Sequence, residues 1–221
     1  DLSKKLYDMK NDLLNQMSST EVTKLRLRNN SNLGNTNFSS LDIETQNKIK
    51  DRLGENATSN DAYLRYVLST LTNMQYLSLE GVTNLSSLDF IKYMPNLIEL
   101  DIRNTNITDL SILEDLTNEN QLQQFGVLAI NNAAIDLTKI QNTISNLYSR
   151  KSGFWSTVHD YEIGGLKIGN STLMKSLENC TQITKLKLEM LITLKNEIFD
   201  FSNCRNLTQY KGVYIASVIK L

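Results

Sequence analysis

The chain has 221 residues, of which 40% are hydrophobic and 21% are charged, and this composition suits a soluble domain or repeat array with a continuous core. Lys and Arg total 23 and Asp and Glu total 24, so the formal net charge is -1 and the positive surplus typical of general nucleic-acid binders is missing. No apolar stretch approaches the roughly 18 residues of a membrane-spanning helix. We therefore expect neither a nucleic-acid partner nor membrane insertion.

The first predicted element is an amphipathic helix over residues 2–17, because apolar residues recur there at helical spacing. These residues are Leu2, Leu6, Met9, Leu13 and Met17. We interpret residues 1–21 as a helical N-terminal cap, since the first unit of a stacked repeat would otherwise expose its apolar surface. A helix that binds a membrane or a partner is the alternative.

From residue 22 onward one pattern recurs: an apolar residue, two variable residues, an apolar residue, one variable residue and a third apolar residue. Its copies are Val22-Leu25-Leu27, Met74-Leu77-Leu79, Leu97-Leu100-Ile102, Phe125-Leu128-Ile130, Ile163-Leu166-Ile168, Ile183-Leu186-Leu188 and a degraded Leu207-Tyr210-Gly212. The alternation of the last two apolar positions predicts a short strand with one apolar face. One strand cannot bury that face alone, so we expect the copies to stack with their strands in parallel.

Two further apolar positions support this alignment. Five or six residues after each strand stand Leu33, Leu85, Ile107, Ile135, Leu173 and Leu194, and three residues before the pattern stand Leu71, Met94, Leu122, Cys180 and Cys204. Successive copies begin 52, 23, 28, 38, 20 and 24 residues apart. The shorter spacings fit leucine-rich repeats of about 20–29 residues. We therefore predict an α/β leucine-rich-repeat solenoid over residues 22–221, with a parallel concave sheet and helical insertions at about 40–70 and 137–162.

The insertions contain three helical patterns. Residues 41–53 end at Gly54, a second run begins at Asp61, and a third extends from Leu137 to a stop near Gly153. After the third comes SGFWSTVHDYEIGG, which holds the only Trp and the only His of the chain.

The segment from about Leu71 to Leu116 resembles the leucine-rich repeats of bacterial internalin-type proteins. The resemblance rests on the phrases Leu71-Thr72-Asn73 and Asp109-Leu110-Ser111 and covers about two repeats closely. It implies a secreted or surface-attached bacterial protein that binds another protein. An Asn that often follows the strand by three positions in this family is kept only as Asn30, so we expect an irregular arc.

The sequence offers little for catalysis. It has one His and no Gly-x-Ser-x-Gly, P-loop or His-Glu-x-x-His motif. We predict no enzymatic activity, no cofactor and no metal site; an enzyme centred on His159, with Asp160 orienting it, is the alternative. Cys180 and Cys204 stand one coil apart in a core column, which favours reduced core thiols over a disulfide.

A partner would contact the variable strand positions, because they point away from the core. Charge is segregated there: basic residues in the first coil, acids in the next two and lysines towards the C-terminus. Tyr76 and the Trp155 loop offer aromatic anchors. The candidate partner-binding residues are Arg26, Tyr76, Glu80, Glu99, Asp101, Arg103, Trp155, Lys167, Lys185, Lys187 and Lys211. The alternative is a neutral, solvated sheet face.

We therefore predict a protein-interaction module that acts as a monomer at the bacterial surface or after secretion. A cytosolic scaffold with the same face and a surface-layer packing protein are the alternatives.

Overall fold

The computed structural model describes residues 22–147, 161–163, 165–190, 198–213 and 218–221, with the backbone alone at 161–163, 187–190, 211–213 and 218. The predicted cap helix over residues 2–17 lies outside the described residues, as does the loop that carries Trp155 and His159.

Each predicted repeat copy contains a short strand, and further strands lie between and after the copies. The strands are β1 (Lys24–Arg26), β2 (Tyr76–Ser78), β3 (Glu99–Asp101), β4 (Val127–Ile130), β5 (Tyr161–Ile163), β6 (Leu166–Ile168), β7 (Lys185–Met190), β8 (Ile198–Asp200), β9 (Gln209–Val213) and β10 (Val218–Lys220). Strands β1, β2, β3, β4 and β6 pair in parallel. The leucines at the second apolar position of these copies are successive Cα partners. They form one leucine column: Leu25, Leu77, Leu100, Leu128 and Leu166. The predicted parallel register is confirmed for these five strands.

The prediction that all repeat strands pair in parallel with their neighbours is wrong at the fifth copy, Ile163-Leu166-Ile168. Ile163 ends β5, which pairs antiparallel with β6 on one side and with β7 on the other. The strand order is therefore β1-β2-β3-β4-β6-β5-β7-β9, and Leu166 and Leu186 are not on neighbouring strands. Two glycines separate β5 from β6, and a two-residue Gly-Gly connection favours a tight hairpin. The sheet is therefore mixed, and β8 and β10 form a separate parallel pair.

Helices and 3-10 turns connect the strands. The helices are α1 (Ile43–Leu53), α2 (Ala62–Ser69), α3 (Ser111–Asn118), α4 (Gln141–Asn146) and α5 (Ser171–Ser176), and the 3-10 turns are Phe38–Ser40, Asp89–Tyr93, Leu137–Ile140 and Leu177–Asn179. Helix α1 begins where the Asp42 carboxylate accepts from the Thr45 amide at 2.8 Å, and it ends at Gly54 with φ 104°, as the sequence predicts. The third predicted helix is a 3-10 turn followed by α4, and it ends before the predicted Gly153.

The two further apolar positions of the repeat lie in the core. Leu71, Met94, Leu122, Cys180 and Cys204 are at most 4% exposed, and Leu85, Ile107, Ile135 and Leu173 are buried with them. Leu33 packs against this core from its edge, and Leu194 lies outside the described residues. A smaller cluster around Ile49 joins α1 to α2.

A buried ionic cluster attaches α2 to the turn at Asp89–Tyr93. The Arg65 guanidinium lies 3.2 Å from the Asp61 carboxylate and also pairs with Asp89. Asp61 accepts from both the amide and the hydroxyl of Ser86, each at 2.7 Å. Burial would raise the pKa of Asp61, but hydrogen bonds from Ser59 and Ser86 and the charge of Arg65 outweigh it and lower that pKa. At Asp89 burial prevails over the charge of Arg65 and raises the pKa.

Asparagine side chains join neighbouring coils, although from a different position than the family pattern suggests. Asn84 donates to the carbonyl of Leu33 at 3.0 Å, and Asn106 donates to that of Thr83 at 2.7 Å. An asparagine ladder is therefore present, displaced from the position three residues after the strand.

Each of the first three strands continues into a turn with one residue in the left-handed region. These residues are Asn29 (φ 51°), Gly81 (φ 77°) and Asn104 (φ 56°). The Asn29 amide donates to the Glu80 carbonyl at 2.8 Å, and the Gly81 amide donates to the Arg103 carbonyl at 3.0 Å. The residues directly before these turns are Arg28, Glu80 and Arg103, and the turns thereby bring their side chains together.

Candidate functional site

The outward face of the sheet, opposite the leucine column, is accessible at its β1 end. Lys24 and Arg26 of β1 are exposed, and Tyr76 beside them on β2 is half-buried. Arg28 continues the alternation of β1, and its side chain is 31% exposed. We call Lys24, Arg26, Arg28 and Tyr76 the β1 edge.

The middle of the same face is closed to solvent. Glu99 and Asp101 of β3 are 0% exposed, and Lys167 of β6 is 7% exposed. Val127 and Ala129 of β4, between them, are also fully buried. A solvated sheet face, the alternative given by the sequence, is not what the structure has at these five residues.

An ionic ladder crosses the ends of β1, β2 and β3. The Arg28 Nε donates to Glu80 Oε2 at 2.7 Å, and the same oxygen lies 3.6 Å from an Arg103 guanidinium nitrogen. The Glu80 side chain is 15% exposed, so it is partly removed from water between the two arginines. The ladder holds Arg28 in a defined position beside the sheet.

The Arg103 guanidinium forms a bidentate pair with the Asp101 carboxylate at the end of β3. Its Nε donates to Asp101 Oδ1 at 2.9 Å and its NH2 group donates to Asp101 Oδ2 at 2.7 Å. This hydrogen bonding raises the pKa of Arg103. The Ser78 hydroxyl also donates to Asp101, at 3.3 Å. Asp101 and Arg103 therefore satisfy each other inside the face.

The aromatic ring of the β1 edge supports a lysine. The Lys24 ammonium lies 4.9 Å from the centroid of the Tyr76 ring, within the range of a cation–π contact. Lys24 and Tyr76 are on adjacent strands and are Cα partners, which places them side by side. Tyr76 thus combines a half-buried ring with a neighbouring positive charge.

The remaining predicted site residues lie elsewhere. Lys185 is half-buried on β7. Lys187 and Lys211 are Cα partners on β7 and β9, and their side chains lie outside the description. Trp155 is not among the described residues. The structure therefore brings together Arg26, Tyr76, Glu80 and Arg103 at one end of the sheet and places Lys185, Lys187 and Lys211 near the other.

Lys24 and Arg28 lie beside Arg26 and Tyr76 at the β1 edge, although neither is among the residues that the sequence predicts for the site. The available signal was basic residues at alternate positions of one strand, which must share a face.

The two cysteines are buried and unbridged. Burial raises the pKa of the Cys180 thiol to about 12 and also raises that of Cys204. Such thiols carry almost no thiolate at neutral pH and are poor nucleophiles.

Within the described ranges, no group of three His, Cys, Asp or Glu side chains is arranged to hold a metal ion. None of the helices described there combines the length and the apolar character that crossing a membrane requires.

No protein-family model and no curated protein matches the chain. Among solved structures, an internalin (inlF) from Listeria monocytogenes aligns with 90% of this chain at 15% identity and a TM-score of 0.34. This chain spans 49%, about half, of that protein's length. An internalin C2 (inlC2) from Listeria monocytogenes aligns with 84% of this chain and 95% of its own length, at 18% identity and a TM-score of 0.24. Both neighbours are internalins, the family that the repeats resemble.

Proposed function

We propose that the chain is a leucine-rich-repeat solenoid that serves as a protein-interaction module and binds its partner at the β1 edge. The observation that carries this proposal is the joint placement of Lys24, Arg26, Arg28 and Tyr76 at an accessible end of a sheet face whose middle is buried.

The strands next to β1 are held in register by the leucine column. Leu77, Leu100 and Leu128 are successive partners and are 0% exposed, so the strands cannot shift register without exposing the column. A surface on such strands keeps its shape on binding, which reduces the ordering cost of association.

The chemistry of the β1 edge suits a protein partner. Tyr and Arg are enriched among the residues that dominate protein interfaces, and a half-buried ring next to cations combines apolar area with charge. Arg28 and Lys24 are already held by Glu80 and Tyr76, so binding costs them less side-chain entropy.

We further propose that the module acts as a monomer, without cofactor or metal, at a bacterial surface or after secretion, as the family resemblance implies. A cytosolic scaffold is the second candidate. Protease shaving of intact cells of the source organism separates the two, because only a surface protein is cleaved before lysis.

The proposed function is tested by affinity capture with three forms of the purified protein: the unchanged chain, Tyr76→Ala and Ile43→Ala. Ile43 is 70% exposed on α1 and provides a control for loss of an exposed apolar side chain. We expect the unchanged chain and Ile43→Ala to retain the same binding protein, and Tyr76→Ala to lose at least nine-tenths of it. Equal retention by all three forms contradicts the assignment of the β1 edge.

A further inference from the structure

Because some of its charged residues are buried, the outward face exposes a different balance of charge from the one that its sequence suggests. The acids Glu99 and Asp101 are 0% exposed, and Asp101 is neutralised by Arg103. Neither contributes an exposed negative charge beside β1. In the described part of this end of the face, the exposed charge is therefore basic, with Glu80 as the partly buried counter-charge of Arg28.

We propose that the partner presents an extended acidic segment to the β1 edge, with carboxylates on alternate residues. This inference rests on the proposed function and adds the chemical class of the partner.

The spacing of the cations sets the spacing of the partner's acids. Lys24, Arg26 and Arg28 alternate along one strand, so their Cα atoms are about 6–7 Å apart in succession. An extended chain has the same repeat when its acids occupy every second position. A helix does not, because its neighbouring acids on one face are three or four residues apart.

The cations at the two ends of this row are pre-positioned. Lys24 is held over the Tyr76 ring at 4.9 Å, and the Arg28 Nε is held by Glu80 at 2.7 Å. Arg26 lies between them and is exposed. Charges held in fixed positions favour binding of a complementary chain in one register over non-specific electrostatic attraction.

The probe is a fluorescein-labelled peptide, Glu-Thr-Glu-Thr-Glu-Thr-Glu, whose alternating Thr residues favour an extended chain. Binding is measured by fluorescence anisotropy in 50 mM salt. A peptide of identical composition with its four Glu residues contiguous is the control for spacing. We expect its Kd to be at least five times higher than that of the alternating peptide.

The variant is Lys24→Gln/Arg26→Gln, and the matched control is Lys48→Gln/Lys50→Gln, which removes two positive charges from α1. We expect the Kd to rise at least tenfold in the first and less than twofold in the second. Circular dichroism verifies the fold of both. A similar weakening in both variants shows general charge attraction and overturns the proposal.

Two further probes exclude other polyanions: a single-stranded dT oligonucleotide and phosphatidylserine vesicles. If either binds as tightly as the alternating peptide and loses binding in Lys24→Gln/Arg26→Gln, the edge is a general anion surface and the inference fails. If the peptide does not bind while Tyr76→Ala still abolishes capture of the protein partner, the acidic-segment inference fails and the proposed function stands.

Discussion

The Arg103 guanidinium, just after β3, donates to both oxygens of the Asp101 carboxylate at the end of that strand, at 2.9 and 2.7 Å. The Asp101 side chain is 0% exposed and that of Arg103 is 10% exposed, so the pair is almost fully removed from water. It occupies a sheet face whose leucine-rich reverse side is also buried. Because each residue of the pair neutralises the charge of the other, both can occupy a position that is almost fully removed from water.

Removing Asp101 from this pair should leave the Arg103 charge with only its longer contact to Glu80, at 3.6 Å. We expect Asp101→Asn to lower the free energy of unfolding by about 3 kcal/mol, because Arg103 then loses its carboxylate in a buried site. Urea unfolding followed by circular dichroism measures the change. Glu44→Gln, which breaks the exposed pair with Lys48, is the matched control and should leave the midpoint unchanged. An equally small effect of Asp101→Asn would show that the Asp101–Arg103 pair contributes little to stability.

The turn at Gly81 should reject a side chain for steric reasons. A Cβ there would lie 3.0 Å from the Asn29 backbone and 2.6 Å from Asn29 Oδ1. At Gly34 the backbone φ is almost the same, +76° against +77°, but the nearest atoms are side-chain carbons at 3.3 Å. Both alanine variants carry the left-handed strain of about 1 kcal/mol. We expect Gly81→Ala to cost at least about 1 kcal/mol more in urea unfolding; equal losses would argue against the close approach of the first two turns.

Acid should weaken the cluster around Arg65 through Asp61. The folded pKa of Asp61 is lowered, so its contribution is complete above the unfolded pKa of about 3.9 and is lost as the pH falls through the folded value. We expect Asp61→Asn to flatten the loss of unfolding free energy below about pH 4. The folded pKa of Asp89 is raised, so its contribution has the opposite sign and decreases as pH rises. Asp89→Asn should therefore steepen the acid loss, and urea titrations from pH 7 to pH 2.5 measure both slopes. Identical slopes in the two variants contradict these assignments.

The thiols should be inert until the chain unfolds. Because Cys180 is fully buried and its pKa is raised to about 12, we expect no reaction with a thiol-specific disulfide reagent at pH 8 over an hour. In guanidinium chloride both cysteines should react within minutes. Reaction of one thiol per chain in the native state, lost in Cys204→Ser, would show that Cys204 is accessible.

Much of the fold follows from the sequence because the position of a residue in the repeat determines whether its side chain packs in the core. The spacing that places Leu77 beside Leu100 also predicts the buried positions Met94 and Cys180, and the structure confirms them. The apolar pattern does not predict the hairpin at Ile163, because its residues satisfy that pattern and only the neighbouring Gly164-Gly165 indicates a turn. Whether a variable strand position is exposed depends on what lies over the sheet, and alternation alone does not contain that information. Glu99 and Lys24 occupy equivalent outward positions in the pattern, yet Glu99 is fully buried and Lys24 is exposed.

Strand β5 also affects how the layers can bend. Neighbouring strands are about 4.8 Å apart, whereas packed helices are about 8–10 Å apart, and this difference makes a stack of strand–helix units curve towards its sheet. β5 adds one strand, about 4.8 Å, to the sheet between β6 and β7. The strand layer is consequently longer between β4 and β7. The curvature should decrease there, so that the basic end and the lysine-bearing end of the sheet diverge more than they would on a uniform arc.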